Sequence, residues 1–241
     1  MNETINVMKS HKSIRKFDLE HPIPENEFQE ILAATRQAST WMNGEFYSMI
    51  VVRDPELREA VYASAPPYMT FIKKCAELVV FVVDMHRTSL AAKMHDKPYV
   101  AQGIEPLLIG TVDTSLVGQN MLTAAESLGY GGVFIGLVRE EPKKMMKALN
   151  LPDQTFPLFA IALGKPAQEP AVKPRLQEHL VVHYDTYKEP TIADLEEYDE
   201  IQTQYAGARQ KQTWTEKFAH YFEKYPMPRE SEELLRENHL L

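Results

Sequence analysis

The most apolar long stretch of the chain runs from Glu105 to Gly132, with the sequence EPLLIGTVDTSLVGQNMLTAAESLGYGG. Its length would suit a membrane span, which needs about 20 consecutive apolar residues. Polar and charged side chains interrupt it, and their burial in hydrocarbon would be unfavourable. These interruptions include Asp113, Gln119, Asn120 and Glu126. The stretch therefore predicts a buried helix over Glu105–Leu128.

Small residues and a near absence of charge distinguish this predicted helix. Asp113 is the only charged residue between Pro106 and Ala125, and Gly110 and Gly118 are among its small residues. A helix with no polar face must be covered on all sides, by its own domain or by a second chain. We favour a homodimer interface along it.

Four short apolar runs have the features of buried strands. Each is rich in Val, Ile and Phe and is bounded by charge, Gly or Pro, as covered strands are. The runs are YSMIVVRD (47–54), ELVVFVVDM (77–85), GGVFIGLV (131–138) and FPLFAIALG (156–164).

Helical patterns alternate with these strands, and a short helix is predicted over Glu3–Met8. Apolar positions recur at helical spacing, as in Phe28, Ile31 and Leu32. The further helical segments are 27–39, 55–65 and 141–150. This order predicts a layered α/β or α+β domain whose central sheet is covered on both sides, with the strand order left open.

The chain changes character after Gly164. Residues 165–190 are proline-rich and extended, and helical patterns return at 192–207 and 213–225. We expect a single domain over 1–241, in which the residues from about 190 form a helical arm that lies on something larger.

Composition excludes several classes of function. The 241 residues carry 26 Lys and Arg against 34 Asp and Glu, a formal charge of −8. This balance argues against a nucleic-acid or anionic-membrane binder, which needs a broad basic surface. Cys75 is the only cysteine, and MNETINVMKS lacks the apolar core of a secretory signal. Both features predict a cytoplasmic protein.

Familiar catalytic motifs are missing from the sequence. His179 and His183 lie four residues apart, but like His86 and His95 they lack a Cys or carboxylate at zinc-motif spacing, so we predict no metal site. There is no Gly-x-Ser-x-Gly and no Walker pattern. GYGGVFIG is spaced wrongly for the dinucleotide fingerprint and precedes a strand.

Two basic clusters stand out against the acidic background. HKSIRKF (11–17) contains His11, Ser13 and Arg15, and VKPRL (172–176) contains Lys173 and Arg175. Residues two apart in an extended segment point to the same side. Each cluster alone is typical of a solvated surface. Together they suggest two pieces of chain that converge on one phosphate, through charge-assisted hydrogen bonds and a hydroxyl.

Three glycines surround the third predicted strand. Gly131, Gly132 and Gly136 would weaken it unless another backbone or a ligand must approach closely. The sequence leaves both alternatives open, tight packing in the sheet or contact with a ligand.

Six motifs, in this order, resemble the oxygen-insensitive NADPH nitroreductase and flavin reductase family over nearly the whole chain. They are HKSIRKF (11–17), AST (38–40), QNMLTAAESLGYGGVFIG (119–136), FPLFAIALGKPA (156–167), KPRL (173–176) and TW (213–214). The resemblance implies an α+β fold with a central mixed sheet flanked by helices. It also implies a homodimer that binds FMN at the subunit interface, with the C-terminal arm reaching over the partner.

The same resemblance implies a set of flavin contacts. His11, Lys12 and Ser13 would meet the phosphate and ribityl chain together with Lys173 and Arg175. Arg15 would lie near the pyrimidine edge and stabilise the negative charge that develops on reduction. The remaining implied contacts are Ser39 and the backbone amides around Phe134, Ile135, Gly136 and Leu137. No side chain is implied as a general acid.

The chain departs from the family pattern in three places. Trp41 and Met42 follow Ser39-Thr40 where many relatives have small hydroxyl residues, and Trp41 suits core or interface packing as well as it suits a substrate pocket. Pro66 stands where relatives often carry a flavin-contacting Gln. Leu137 replaces the second glycine of the family's IGG.

The implied reaction is hydride transfer from NADPH through FMN to nitroaromatics, quinones or flavins, by a ping-pong mechanism. Arg139, Arg209 and Lys211 are candidate contacts of NADPH. One alternative is a flavin, azo or chromate reductase with incidental nitro activity. Others are a non-catalytic flavin-holding redox protein and a phosphate-binding structural protein without flavin.

Overall fold

A computed structural model describes residues 2–224 and 229–241. Their contacts divide into two compact units. The first comprises the chain up to Pro170 together with 229–241, and the second comprises 171–224. The second unit thus begins at Ala171, about 20 residues before the predicted arm, and the last helix belongs to the first unit.

A five-stranded sheet forms the centre of the first unit. Its strands are β1 (Phe17–Asp18), β2 (Tyr47–Val51), β3 (Glu77–Asp84), β4 (Gly131–Ile135) and β5 (Thr155–Pro166). β5 pairs with β1, β3 and β4, and β3 also pairs with β2, all antiparallel. A parallel bridge from Ser13 to Gly132 makes the sheet mixed. The four predicted strands are confirmed, whereas the two-residue β1 is too short to show a periodicity.

Seven helices belong to the described part of the first unit and two to the second. They are α1 (Glu3–Lys9), α2 (Glu25–Thr35), α3 (Pro55–Ala63), α4 (His86–Met94), α5 (Ile104–Ser127), α6 (Pro142–Ala148), α7 (Ile192–Ala206), α8 (Trp214–Lys224) and α9 (Arg229–Glu237). The sequence predicted all but α4 and α9. The predicted end of α8, residue 225, lies outside the described residues. None of these helices is long and apolar enough to cross a membrane.

Alternate residues of the sheet contact the two covering layers, as the period of two requires. Val80 and Val82 of β3 pack in one cluster with α3 and α6. Val79 and Phe81 pack in the other with α2 and α5. All eight residues of β3 are buried, so the sheet is covered on both sides as predicted.

Cys75 lies in the loop that precedes β3 and is buried in the first of these clusters. Burial raises the pKa of its thiol to about 12. The thiol is therefore almost entirely protonated at neutral pH.

α5 lies close to the sheet on one side and exposes apolar residues on the other. A methyl group at Gly110 would come within 2.5 Å of Val83, and one at Gly118 within 2.7 Å of Phe159, so glycine permits this close approach. Away from the sheet, four large apolar side chains spaced four residues apart remain exposed. This exposed stripe consists of Ile104, Leu108, Val112 and Leu116.

Asp113 is the polar anchor of this helix. Its side chain is buried, with 1% of the residue exposed. Its two carboxylate oxygens accept hydrogen bonds from the backbone N–H groups of Trp41, at 2.9 Å, and Phe46, at 3.2 Å. In the stretch of chain between Trp41 and Phe46, three non-glycine residues have positive φ: Met42, Asn43 and Glu45. Such backbone persists only when its surroundings hold it, and Asp113 supplies that restraint.

We predict that Asp113→Asn lowers the free energy of unfolding by about 2 kcal/mol, because an amide NH₂ would face a buried N–H donor. Urea denaturation measures this loss. Asp153→Asn is the matched control, since Asp153 is exposed and has no hydrogen bond within the described chain. Equal stability of the two variants would contradict the role of Asp113.

Candidate functional site

The segment His11–Arg15 is fixed to the edge of β4. Ile14 donates its N–H to the carbonyl of Gly132 at 2.9 Å, and Ser13 forms the parallel bridge to the same residue. The Ile14 side chain is buried in the core. The first basic cluster is therefore extended backbone attached to the sheet, and not a loose surface loop.

His11 has a carboxylate partner. Its Nδ1 lies 2.6 Å from Oε1 of Glu126, in the last turn of α5. The side chains are 26% and 11% exposed, respectively. Burial raises the pKa of Glu126, while the hydrogen bond from His11 and the charge of Lys12 oppose that rise. Sequence reasoning missed this pairing, because Glu126 stood out only as a polar interruption of an apolar helix.

Lys12 has a carboxylate partner in the described chain. Its ammonium contacts Glu169, and with Ile14 it lines a cavity of about 160 Å³. Because side chains alternate along extended backbone, Lys12 and Ile14 lie opposite Ser13 and Arg15. The flavin contact of Lys12 that the resemblance implied stays a prediction.

Arg15 has an unengaged guanidinium. It is exposed, and no hydrogen bond or ion pair joins it to another described residue. Other arginines contrast with it, since Arg58 donates to the carbonyls of Val52 and Cys75, and Arg87 to Asp84. An unpaired cation on a rigid segment is available to an anionic ligand.

β4 ends in a 3₁₀ turn, Gly136–Arg139, where the sequence predicted that the strand continues. The first N–H groups of a helical turn have no acceptor within it. Just before the turn, Phe134 is 37% exposed and packs edge-to-face on Phe159, with ring centroids 4.9 Å apart. Arg139 donates to the carbonyl of Leu158. Its guanidinium would have to leave or share this hydrogen bond to make the predicted contact with NADPH.

The three glycines divide between the two alternatives that the sequence left open. A methyl group at Gly131 would come within 2.5 Å of Ile14, and one at Gly132 within 2.7 Å of Leu163, so close packing accounts for both. At Gly136 it would meet only Arg139, at an ordinary 3.5 Å, and φ is not positive there. Neither packing within the described chain nor φ requires glycine at Gly136, so the backbone there is open to the close approach of a ligand.

The loop after α2 presents two apolar side chains to solvent. Trp41 is 51% exposed and Met42 81% exposed. The Trp41 ring contacts Phe46 with centroids 6.1 Å apart. Core packing within the described chain is therefore excluded for Trp41. Ser39, just before this loop, is exposed.

In the second unit, the KPRL segment is attached to α7. The carbonyl of Pro174 accepts hydrogen bonds from Gln202 Nε2 at 3.0 Å and from the Tyr198 hydroxyl at 3.3 Å. Lys173 and Arg175 flank this anchor, are exposed, and have no partner within the described chain. Their convergence with His11 and Ser13 would join the two units and stays a prediction.

The structure also places the other residues that the sequence analysis singled out as candidate NADPH contacts or metal ligands. Arg209 donates to the carbonyls of Tyr205 and Ala206, and Lys211 is exposed. His179 pairs with Asp194 at 3.2 Å. Within the described ranges, 2–224 and 229–241, no group of three or more His, Cys, Asp or Glu residues is arranged to hold a metal ion.

Comparison with known proteins assigns the chain to a family. The model of the nitroreductase family matches residues 8–165, and that of the family's C-terminal domain matches 173–240. The chain belongs to the nitroreductase family. The first match ends and the second begins close to residue 171, where the two structural units divide.

Its relatives in this family include proteins named as reductases. The chain is 32% identical to the NAD(P)H FMN reductase of Bacillus subtilis, with 95% of this chain and 96% of that protein covered. It is 37% identical to the oxygen-insensitive NADPH nitroreductase of Salmonella typhimurium, with 90% and 89% covered. The structure of the NADPH:FMN oxidoreductase from Vibrio harveyi complexed with NAD+ has a TM-score of 0.91 at 33% identity, with 99% of each chain covered. The nitroreductase fold implied by the sequence is thereby confirmed.

We predict that alanine destabilises the protein at Gly132 but not at Gly136. Gly132→Ala should lower the free energy of unfolding by about 1–3 kcal/mol, because its methyl group overpacks the sheet. Gly136→Ala should change stability by less than about 0.5 kcal/mol, since its methyl group has room. Urea denaturation of both variants measures the difference. A large loss at Gly136 would show that packing requires this glycine too.

Proposed function

We propose that this protein is an FMN-dependent oxidoreductase that transfers hydride from NADPH through FMN to nitroaromatics, quinones or flavins. The observation that carries the proposal is Gly136, whose glycine has no packing or dihedral explanation at the end of β4. Close passage of a flat ligand along this backbone accounts for it. The names of the B. subtilis and S. typhimurium relatives support the same chemistry.

The donor groups of the chain fit FMN. Ser13 offers a hydroxyl, His11 an imidazole, and Lys173 and Arg175 unpaired cations, which together suit a phosphate and a ribityl chain. Ser39 adds a second exposed hydroxyl. The amides of Phe134, Ile135, Gly136 and Leu137 are the proposed backbone donors to the ring. FMN supplies the hydride chemistry when bound.

Arg15 has the electrostatic role in this proposal. Its unpaired guanidinium stabilises negative charge on the pyrimidine edge of the ring, as preorganised positive groups do in active sites. No side chain is assigned as general acid, because water can deliver the protons. NADPH and the electron acceptor then use the site in turn, which gives ping-pong kinetics.

The exposed Trp41 and Met42 favour an enzyme over a flavin store. Both side chains are exposed in the described chain. We assign both to the substrate pocket. A flavin, azo or chromate reductase with incidental nitro activity uses the same site and differs only in the acceptor.

We also propose a homodimer that acts in the cytoplasm on small molecules. The exposed stripe of α5 supports the dimer, because four large apolar side chains on one helix face need cover. The C-terminal arm, with α7 and α8, reaches over the partner in this arrangement. The single buried thiol of Cys75 supports a reducing compartment.

The visible spectrum of the purified protein tests the flavin assignment. We expect absorption bands at ~375 and ~450 nm that bleach when NADPH is added without oxygen, and FMN in the supernatant after denaturation. A colourless protein that takes up no added FMN would contradict the proposal. A larger kcat/KM with NADH than with NADPH would contradict the choice of donor.

Variants in the same experiment separate the roles of the site residues. Arg15→Ala should slow the bleaching by NADPH about 100-fold, because one preorganised charge is lost. Gly136→Ala should weaken FMN binding while stability is kept. Arg36→Ala is the control for Arg15, since Arg36 is also exposed and unpaired within the described chain. Equal rates for Arg15→Ala and Arg36→Ala would remove Arg15 from the site.

We expect the double substitution Leu108→Glu and Val112→Glu to convert the dimer to a monomer, because two charges would be buried in its interface. Light scattering at micromolar concentration measures the mass. Leu19→Glu, which changes an exposed leucine outside the stripe, should leave the dimer intact. A monomeric unsubstituted protein would refute the interface.

A further inference from the structure

The pairing of His11 with Glu126 fixes which imidazole nitrogen can meet a ligand. Nδ1 lies 2.6 Å from the Glu126 carboxylate, so this nitrogen is engaged inside the protein. No hydrogen bond joins Nε2 to another described residue. The backbone is held as well, because Ile14 donates its N–H to the carbonyl of Gly132 and Ser13 is the parallel bridge partner of the same residue. His11 can therefore turn only Nε2 outward.

Two other polar groups near this pair, the Lys12 ammonium and the Tyr130 hydroxyl, have partners of their own. Lys12 contacts Glu169 across the cavity that Glu126 also lines. The hydroxyl of Tyr130, on the same cavity, donates to Glu27 of α2 at 2.6 Å. Glu126 thus has His11 as its hydrogen-bonding partner. Because Glu126 is largely buried, a negative charge there would be unfavourable without that partner. A carboxylate in this position stabilises a protonated Nδ1.

We propose that Glu126 is a positioning residue for the phosphate end of the flavin site, which keeps the proton on Nδ1 of His11 and presents Nε2 to the ligand. This inference rests on the proposed function, since it takes His11 to contact the FMN phosphate. With an aliphatic or neutral partner, imidazole could turn either nitrogen outward. Glu126 removes that freedom before the ligand arrives.

A consequence for proton uptake follows from this arrangement. A phosphate dianion is best met by an N–H donor, so binding favours a second proton, from solvent, on Nε2. The imidazolium is then held between the carboxylate of Glu126 and the phosphate. Riboflavin has no phosphate, so its binding should not depend on this imidazolium.

Nitrogen-15 NMR of the histidine side chains tests the inference without any ligand. His11→Asn identifies the His11 signals by their loss. In the unsubstituted protein we expect Nδ1 to be protonated, and in Glu126→Gln we expect the proton to redistribute toward Nε2, because the amide can donate as well as accept. An unprotonated Nδ1 in the unsubstituted protein would overturn the inference.

Fluorescence titration with FMN and with riboflavin tests the link to the ligand. Glu126→Gln should raise the Kd for FMN about tenfold at pH 7, because a hydrogen bond to a charged group is lost. Riboflavin affinity should stay unchanged. Glu169→Gln, which removes a carboxylate from the same cavity, should shift the Kd for FMN less than about twofold. Equal weakening in both variants would mean that a general disturbance of the segment is responsible, and would refute the proposal.

A double-mutant cycle guards against misfolding as the cause. In the His11→Asn background, Glu126→Gln should have no further effect on the Kd for FMN, since Glu126 acts through the imidazole. An undiminished effect there would overturn the inference. An unsubstituted protein that binds no flavin would contradict the proposed function, whereas the imidazole spectrum would still decide whether Glu126 positions His11.

Discussion

The close approach of α5 to the central sheet is the contact on which the rest of the structure depends. Gly110 and Gly118 let the helix backbone approach Val83 and Phe159 without a side chain between them. A helix this near to β3 and β5 covers one face of the sheet and turns its opposite side outward. The same contact therefore accounts for the buried core and for the exposed stripe of apolar residues.

Two acidic residues of this apolar helix reach separate segments of the first unit. Asp113 holds the loop between Trp41 and Phe46, and Glu126 holds His11. Both carboxylates are largely withdrawn from solvent, where an unpaired charge would be strongly destabilising. Because both come from one rigid helix, the loop and the basic segment keep fixed positions relative to each other. A single helix thus orients two of the segments that carry the proposed chemistry.

The sequence predicted the elements whose signal is local. Buried strands such as β3 are continuous apolar runs, and α5 is long and uninterrupted, so both were predictable from pattern alone. β1 is only two residues long and forms because Phe17 and Asp18 pair with the distant end of β5. α4 and α9 were missed. α9 packs its few apolar residues, Leu234 among them, against residues far away in the chain.

The candidate site shows the same division between local and long-range information. Arg15 and the KPRL cations stood out because they are basic residues in an acidic chain. The partner of His11 lies 115 positions away, and no spacing rule connects the two. The glycines were ambiguous for a related reason, since only the neighbours of Gly132 and Gly136 distinguish a packing requirement from free space. The contact of Lys12 with Glu169, 157 positions away, is likewise invisible to a local motif.

The burial of Cys75 affects how readily the protein is alkylated by electrophiles. Quinones, among the proposed acceptors, are electrophiles that alkylate thiolates, and the thiolate is the reactive form of cysteine. The chain has one thiol, which is inaccessible within the core and held in its protonated form. An enzyme that handles such compounds is inactivated when they add covalently to its own side chains. This protein offers them no accessible thiol, so it is protected from that route of self-inactivation.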